Sequence, residues 1–266
     1  MTFALIAGLG GLPTALAATL RAQGRTVIIC EMRGFVSEVD GDFHRIAFSF
    51  ETLGTFLAAL KTAGVTDVCM AGAVQRPKVD PSLIDGATLP LVPRLMAAMA
   101  KGDNGTLSAI VALFEEQGFA VVGAHDIAPE LLPMSGVHTQ VAPPNFTTGI
   151  AAAQVALADM GQLDQGQAVL LRRSHVIARE DDRGTAAMLD DLQTRGNGAG
   201  VTLFKAPKPN QNMRVDMPLI GPDTALQAAE AGLAGIVITH GGVMVLDLPE
   251  VISILDAHAM FLWVKP

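Results

Sequence analysis

Apolar runs of five to eight residues alternate with longer amphipathic stretches, and glycines punctuate the changes. Phe3 to Ala7 is apolar and ends in Gly8-Leu-Gly-Gly-Leu-Pro13. Thr14 to Gln23 then reads as a helix stopped by Gly24, and Arg25 to Glu31 as a strand. The unbroken apolar centre of that strand is what burial on both faces requires, as in a parallel sheet covered by helices. The alternation continues with a helix at Leu53–Thr62, a strand at Val65–Gly72, a helix at Ile110–Gln117 and a strand at Phe119–Gly123. Strand and helix in turn predict a parallel α/β sheet.

The rhythm breaks at Leu131-Leu-Pro-Met-Ser-Gly136 and again at Val141-Ala-Pro-Pro144. The reading is therefore two domains, 1–132 and 148–266, joined by a linker at 133–147. Asn145 or Thr147 can cap a helix over Thr148–Met160. Strands follow at Ala168–Leu171 and His175–Ala178, a helix at Thr185–Gln193 and a strand at Val201–Phe204. A helix at Thr224–Ala231 precedes a strand at Gly235–Ile238, with Val243–Leu246 as its hairpin partner across His240-Gly-Gly242. The chain closes with a helix at Pro249–His258 and a strand at Met260–Val264. There is no internal repeat or low-complexity segment.

Composition narrows the function. A net charge of −8 over 266 residues argues against a nucleic-acid partner, which calls for a basic face. Cys30 and Cys69 sit in apolar runs and read as buried thiols of a cytoplasmic protein. Met1 to Gly8 lacks the basic region of a signal peptide, and no apolar run reaches the ~20 residues of a membrane span. Half of the residues are nonetheless hydrophobic and twelve are methionine, which suits a large core, an apolar ligand, or both.

The charge is concentrated in one stretch. Between Lys205 and Asp216 the chain gathers Lys205, Lys208, Arg214 and Asp216, with Gln211 among them. Pro207, Pro209 and Pro218 exclude a helix or a central strand over that stretch and stiffen it as a loop. Its cations suit phosphate oxygens, and Asp216 could hold a metal ion, orient a water, or pair with Arg214 or Lys208 to brace the loop. Other candidates close successive strands, where open α/β sheets bind ligands. Gly10 and Gly11 open the first helix, a place for phosphate. Arg76 follows the third strand, Lys101-Gly-Asp103 precedes a helix, and His125 follows Gly123. Glu31 stands where a dinucleotide fold holds its ribose, but Pro13 replaces the third glycine of that motif. An NAD-dependent oxidoreductase is one alternative.

Taken together the motifs resemble the LpxI family, the UDP-2,3-diacylglucosamine hydrolases of lipid A biosynthesis. The resemblance rests on Gly8–Pro13, Ala71-Gly-Ala-Val-Gln-Arg-Pro77, Lys101-Gly-Asp103, Gly123-Ala-His125, Gly184-Thr185 with Ala187-Met188, and Lys205-Ala-Pro-Lys-Pro209 with Gln211, Arg214, Asp216 and Pro218. It implies two α/β domains, the first Rossmann-like, with the site between them. It further implies a magnesium-dependent hydrolysis, with Mn²⁺ as a second choice, of UDP-2,3-diacylglucosamine to UMP and 2,3-diacylglucosamine 1-phosphate (lipid X). Asp216 falls on the family's essential aspartate, as catalytic residue and metal ligand, with Lys205 and Arg214 in catalysis. Gly10, Gly11, Arg76, Lys101, Asp103, His125, Gln167, Thr185, Lys208 and Gln211 would contact substrate. The lipid would bring a cytoplasmic protein, a homo-oligomer among the options, to the inner-membrane surface, with Leu89–Met99 and Leu131–Met134 as apolar walls. Two family carboxylates are replaced, by Ala186 and Asn212, which leaves a non-catalytic binder of acylated sugar nucleotides as a further alternative; Glu180 and Asp223 are nearby acidic substitutes.

Overall fold

The computed structural model describes residues 2–74, 78–100, 102–145, 147–209 and 211–266; the side chains of Asp103 and Asn104 are outside that description. The chain is an α/β protein of two compact units. The first comprises Met1–Pro129 and Asn212–Asp216; the second comprises Glu130–Gln211 and Met217–Pro266.

In the first unit the elements are β1 (Thr2–Ala7), α1 (Gly11–Ala22), β2 (Thr26–Met32), β3 (His44–Phe48), α2 (Leu53–Thr62), β4 (Val65–Ala71), α3 (Val92–Met99), α4 (Asp103–Glu116), β5 (Ala120–Val121) and α5 (Ala124–Ile127). The five strands form one sheet in the order β3-β2-β1-β4-β5. All pairs are parallel, with Leu5 between Ile29 and Cys69 at the centre. Phe48 stacks on Phe56 at 4.1 Å, and Phe114 meets Phe56 edge-on at 6.4 Å, so three phenylalanines tie β3, α2 and α4 into one core. β3 has no counterpart in the hydrophobic pattern. It is an edge strand whose residues are mostly exposed, and only Phe48 is buried. The helix expected at Ile110 begins seven residues earlier, at Asp103.

The second unit contains β6 (Gly136–Val137), α6 (Thr147–Gln162), β7 (Ala168–Arg172), β8 (His175–Arg179), α7 (Gly184–Thr194), β9 (Val201–Lys205), β10 (Leu219–Ile220), α8 (Pro222–Glu230), β11 (Gly235–Thr239), β12 (Met244–Val245), α9 (Leu248–Ala257) and β13 (Phe261–Lys265). Its main sheet has the order β6-β13-β11-β9-β7-β8. β9, β11 and β13 are parallel; β6, β7 and β8 each run antiparallel to a neighbour. Successive residues face opposite sides. Leu170, Leu203, Ile236 and Leu262 therefore join one buried cluster, while Val169, Phe204, Val237 and Phe261 join another with α6. Burial on both faces explains the near-continuous apolar runs.

One expected pairing is overturned. Val243–Leu246 does not form a hairpin with β11. β12 pairs in parallel with β10, Leu219 against Met244 and Ile220 against Val245. The reason is that β11 has no free edge, since β9 and β13 flank it. The Met244 N–H instead donates to the Pro218 carbonyl at 2.9 Å.

Candidate active site

In the first unit Gly10 and Gly11 follow the carboxyl end of β1, and His125 follows that of β5. The strand order reverses between β1 and β4, the position where open α/β sheets form a ligand crevice. Here the loops are laced together by backbone. The Gly8 N–H donates to the Ala71 carbonyl at 2.8 Å, and Leu9 and Ala73 exchange hydrogen bonds at 2.9 Å. The approach needs hydrogen at two α-carbons. A Cβ on Gly8 would lie 2.6 Å from the Ala73 oxygen, and one on Gly72, where φ is +88°, would lie 2.8 Å from Gly8 and from Pro13 Cγ. Pro13 thus serves the packing that a third motif glycine serves elsewhere, because Gly72 yields the space. Gly10 and Gly11 remain exposed at the start of α1.

Beyond β5, the His125 Nδ1 is buried without a hydrogen-bond partner, and its Nε2 lies 3.6 Å from Asp126. Glu31 is already taken. One of its oxygens accepts from the Ser37 N–H at 2.9 Å, the Ser37 hydroxyl at 2.7 Å and Arg45 at 3.0 Å. Burial alone would push its carboxyl up; the Ser37 and Arg45 hydrogen bonds outweigh that and hold it below the usual range. Arg76 and Lys101 lie outside the described residues, as does the side chain of Asp103. A separate cleft of about 520 Å³ opens where the strands begin, lined by Thr2, Arg21, Arg25, Asp42 and His44 among others, and none of the sequence-derived candidates lines it.

The segment Asn212–Asp216 also belongs to the first unit. Val215 packs against its core, and Arg214 donates to Glu115 at 2.6 Å and to the Val121 carbonyl at 3.5 Å. Asn212 organises the turn: its carbonyl accepts from Val215 and Asp216, and its side chain from the Arg214 N–H at 3.3 Å. An amide at this position makes a turn where an acidic residue would add charge. Asp216 is half-buried.

In the second unit the loop cations are not surface charges. Lys205 ends β9 and is 8% exposed, and its ammonium donates to the Thr185 hydroxyl at 2.9 Å. Thr185 in turn reaches Glu180 at 2.9 Å, and the Gln167 N–H donates to the other Glu180 oxygen at 2.7 Å. Lys208 pairs with Asp164 at 2.7 Å, and its N–H donates to Gln211 Oε1 at 2.7 Å. Lys205, Thr185 and Gln167 are thus joined in one network and Lys208 and Gln211 in another; Arg214 and Asp216 fall in the other unit. Asp164 went unnoticed in the sequence, because nothing marks a carboxylate forty-four residues from its partner.

Residues 2–131 match the LpxI N-terminal domain and residues 134–263 the LpxI C-terminal domain. The chain belongs to the LpxI family. A relative in Caulobacter vibrioides, the UDP-2,3-diacylglucosamine pyrophosphatase LpxI, is 35% identical over 265 residues, covering 97% of this chain and 95% of its own length. In this LpxI chain Ala186 and Asn212 differ in setting. Ala186 is exposed in the first turn of α7, and Asn212 is part of the turn above. Among the described residues no three His, Cys, Asp or Glu side chains come together as a cation site.

Proposed function

We propose that this chain hydrolyses the pyrophosphate bond of UDP-2,3-diacylglucosamine, yielding UMP and 2,3-diacylglucosamine 1-phosphate. The observation that carries the reading is the end-to-end similarity to the C. vibrioides pyrophosphatase, 35% identity across 97% of the chain. The chemistry of the residues agrees. A water oxygen bonds to the sugar-side phosphorus, the bond from that phosphorus to the bridging oxygen breaks, and UMP leaves with the bridging oxygen. Lys205, Lys208 and Arg214 neutralise charge on the phosphoryl oxygens, and Asp216 orients the water. We assign Gly10 and Gly11, after β1, and His125, after β5, as further substrate contacts.

A divalent ion fits this donor set in one way. Mg²⁺ is commonly held by one or two carboxylates with substrate phosphates and water rather than by a cage of side chains. Asp216 is the carboxylate we assign to it, and the ion would add positive charge at the phosphates.

The two acyl chains call for apolar surface and would bring the protein to the inner-membrane face. No helix among the described residues is long and apolar enough to cross a membrane. Leu89 and Met96, 58% and 67% exposed in the first unit, are candidates to meet the acyl chains. The oxidoreductase alternative is disfavoured by the committed oxygen of Glu31. The test is release of UMP from UDP-2,3-diacylglucosamine with and without EDTA. Metal-dependent release is expected; no release with Mg²⁺ or Mn²⁺ present would refute the reading.

A further inference from the structure

We infer that Glu180 and Thr185 form a one-way hydrogen-bond relay that positions the Lys205 ammonium, so that Lys205 meets the substrate while Thr185 serves through Lys205. The inference rests on the pyrophosphatase reading above.

The direction of the relay follows from counting protons. A threonine hydroxyl has one proton to donate, and an ionised carboxylate can only accept. Thr185 Oγ1 lies 2.9 Å from Glu180 Oε1, so its proton goes to Glu180. The lone pairs of Oγ1 then face Lys205, whose Nζ–H donates at 2.9 Å. The second Glu180 oxygen is held by the Gln167 N–H at 2.7 Å, so the carboxylate cannot swing away.

The surrounding backbone is shaped for this. The Glu180 N–H donates to the Ala168 carbonyl at 2.9 Å, and the Ala206 N–H donates to the Gln167 carbonyl at 3.0 Å. The start of β7 is thereby fastened to the chain after β8 and after β9. A Cβ on Gly166 would lie 2.4 Å from the Glu180 carbonyl oxygen, so only glycine admits this approach. The relay thus links β7, the end of β8, the first turn of α7 and the last residue of β9. Glu180 acts here by holding a neighbour, a role different from that of a substitute metal ligand. With its proton spent on Glu180, Thr185 has none to offer a phosphate oxygen.

Kinetics of UMP release from UDP-2,3-diacylglucosamine test the relay. Glu180→Gln keeps size but has one acceptor oxygen for two donors, and Thr185→Val keeps shape without the hydroxyl. Each should lower kcat by at least ~10-fold with KM within ~3-fold. Thr185→Ser should stay within ~3-fold of wild type, and the double variant Glu180→Gln/Thr185→Val should be no worse than the weaker single, because the residues act as one unit. Wild-type kcat in Glu180→Gln, equal loss in Thr185→Ser and Thr185→Val, or multiplying losses in the double variant would each overturn the inference. Wild-type protein that releases no UMP would remove the reaction but not the relay. Crystal structures then decide: Lys205 Nζ displaced in Thr185→Val supports it, and Nζ unmoved in both variants refutes it.

Discussion

Each unit ends its parallel strands in a cluster of candidate residues, but the two edges are built from different materials. In the first unit the edge at β1 and β4 is made of backbone: Gly8 and Leu9 are laced to Ala71 and Ala73 by amide hydrogen bonds, and Gly8 and Gly72 sit at contacts that admit no side chain. In the second unit the edge at β9 is made of charge: Lys205 and Lys208 are drawn into networks with Thr185, Glu180 and Asp164. The first is a steric device, so its sensitivity should appear as stability. The second is electrostatic, and its sensitivity should appear as turnover. Asn212–Asp216 mixes both, with Val215 packed against the first core and the charged Arg214 and half-buried Asp216 on either side of it.

Four measurements would break or sharpen that contrast. The largest effect is expected at Asp216. Asp216→Ala should fold and bind substrate but lose turnover by about a thousandfold, roughly 4 kcal/mol of barrier. A well-folded variant that retains more than about a tenth of wild-type turnover would remove Asp216 from catalysis.

Next is Gly72. Gly72→Ala adds a methyl against backbone atoms at a φ of +88°, and should cost about 3 kcal/mol in urea unfolding. Gly10→Ala has a similar φ, +92°, but open space around the new methyl, and should cost less, about 1–2 kcal/mol. Equal losses at the two positions would mean that close packing at Gly72 is not what the edge depends on.

A smaller effect concerns pH. The Glu31 carboxyl titrates lower in the folded protein than in the unfolded chain. Its hydrogen bonds to Ser37 and Arg45 therefore contribute stability above the unfolded value, about 4.3, and that contribution is lost as pH falls through the folded value. Glu31→Gln should lower the urea midpoint at pH 7 and flatten its decline between about pH 5 and 3. An unchanged acid limb would show that Glu31 does not carry it.

The smallest response is expected from the cysteines. Burial pushes both thiols up to about 12, with a lesser push from Glu31 on Cys30 and from Asp126 on Cys69. Neither should react with a disulfide reagent at pH 8 on the timescale of minutes unless urea is added. Rapid labelling of the folded protein would indicate an opening near β2 or β4.

What the sequence alone determined is whatever depends on local pattern. The continuous apolar runs of β1, β2, β4, β9, β11 and β13 announce strands buried on two faces, and most of the helices declare themselves between glycines. Gly10, Gly11 and Lys205 stood out for the same reason, since each lies at or just after the end of such a run. Tertiary structure decided what depends on partners far along the chain. β3 is short, exposed and at an edge, so its pattern carried little signal. β12 sits after a turn that suits a hairpin, yet β11 was already flanked by β9 and β13. Lys205 read as a loop cation; it is buried because β9 extends to include it and Thr185 lies within hydrogen-bonding reach. Glu180 and Asp164 acquired their partners in the same way. A carboxylate is solvated or committed according to which donor the fold brings within 3 Å, and the spacing of residues in a chain does not encode that distance.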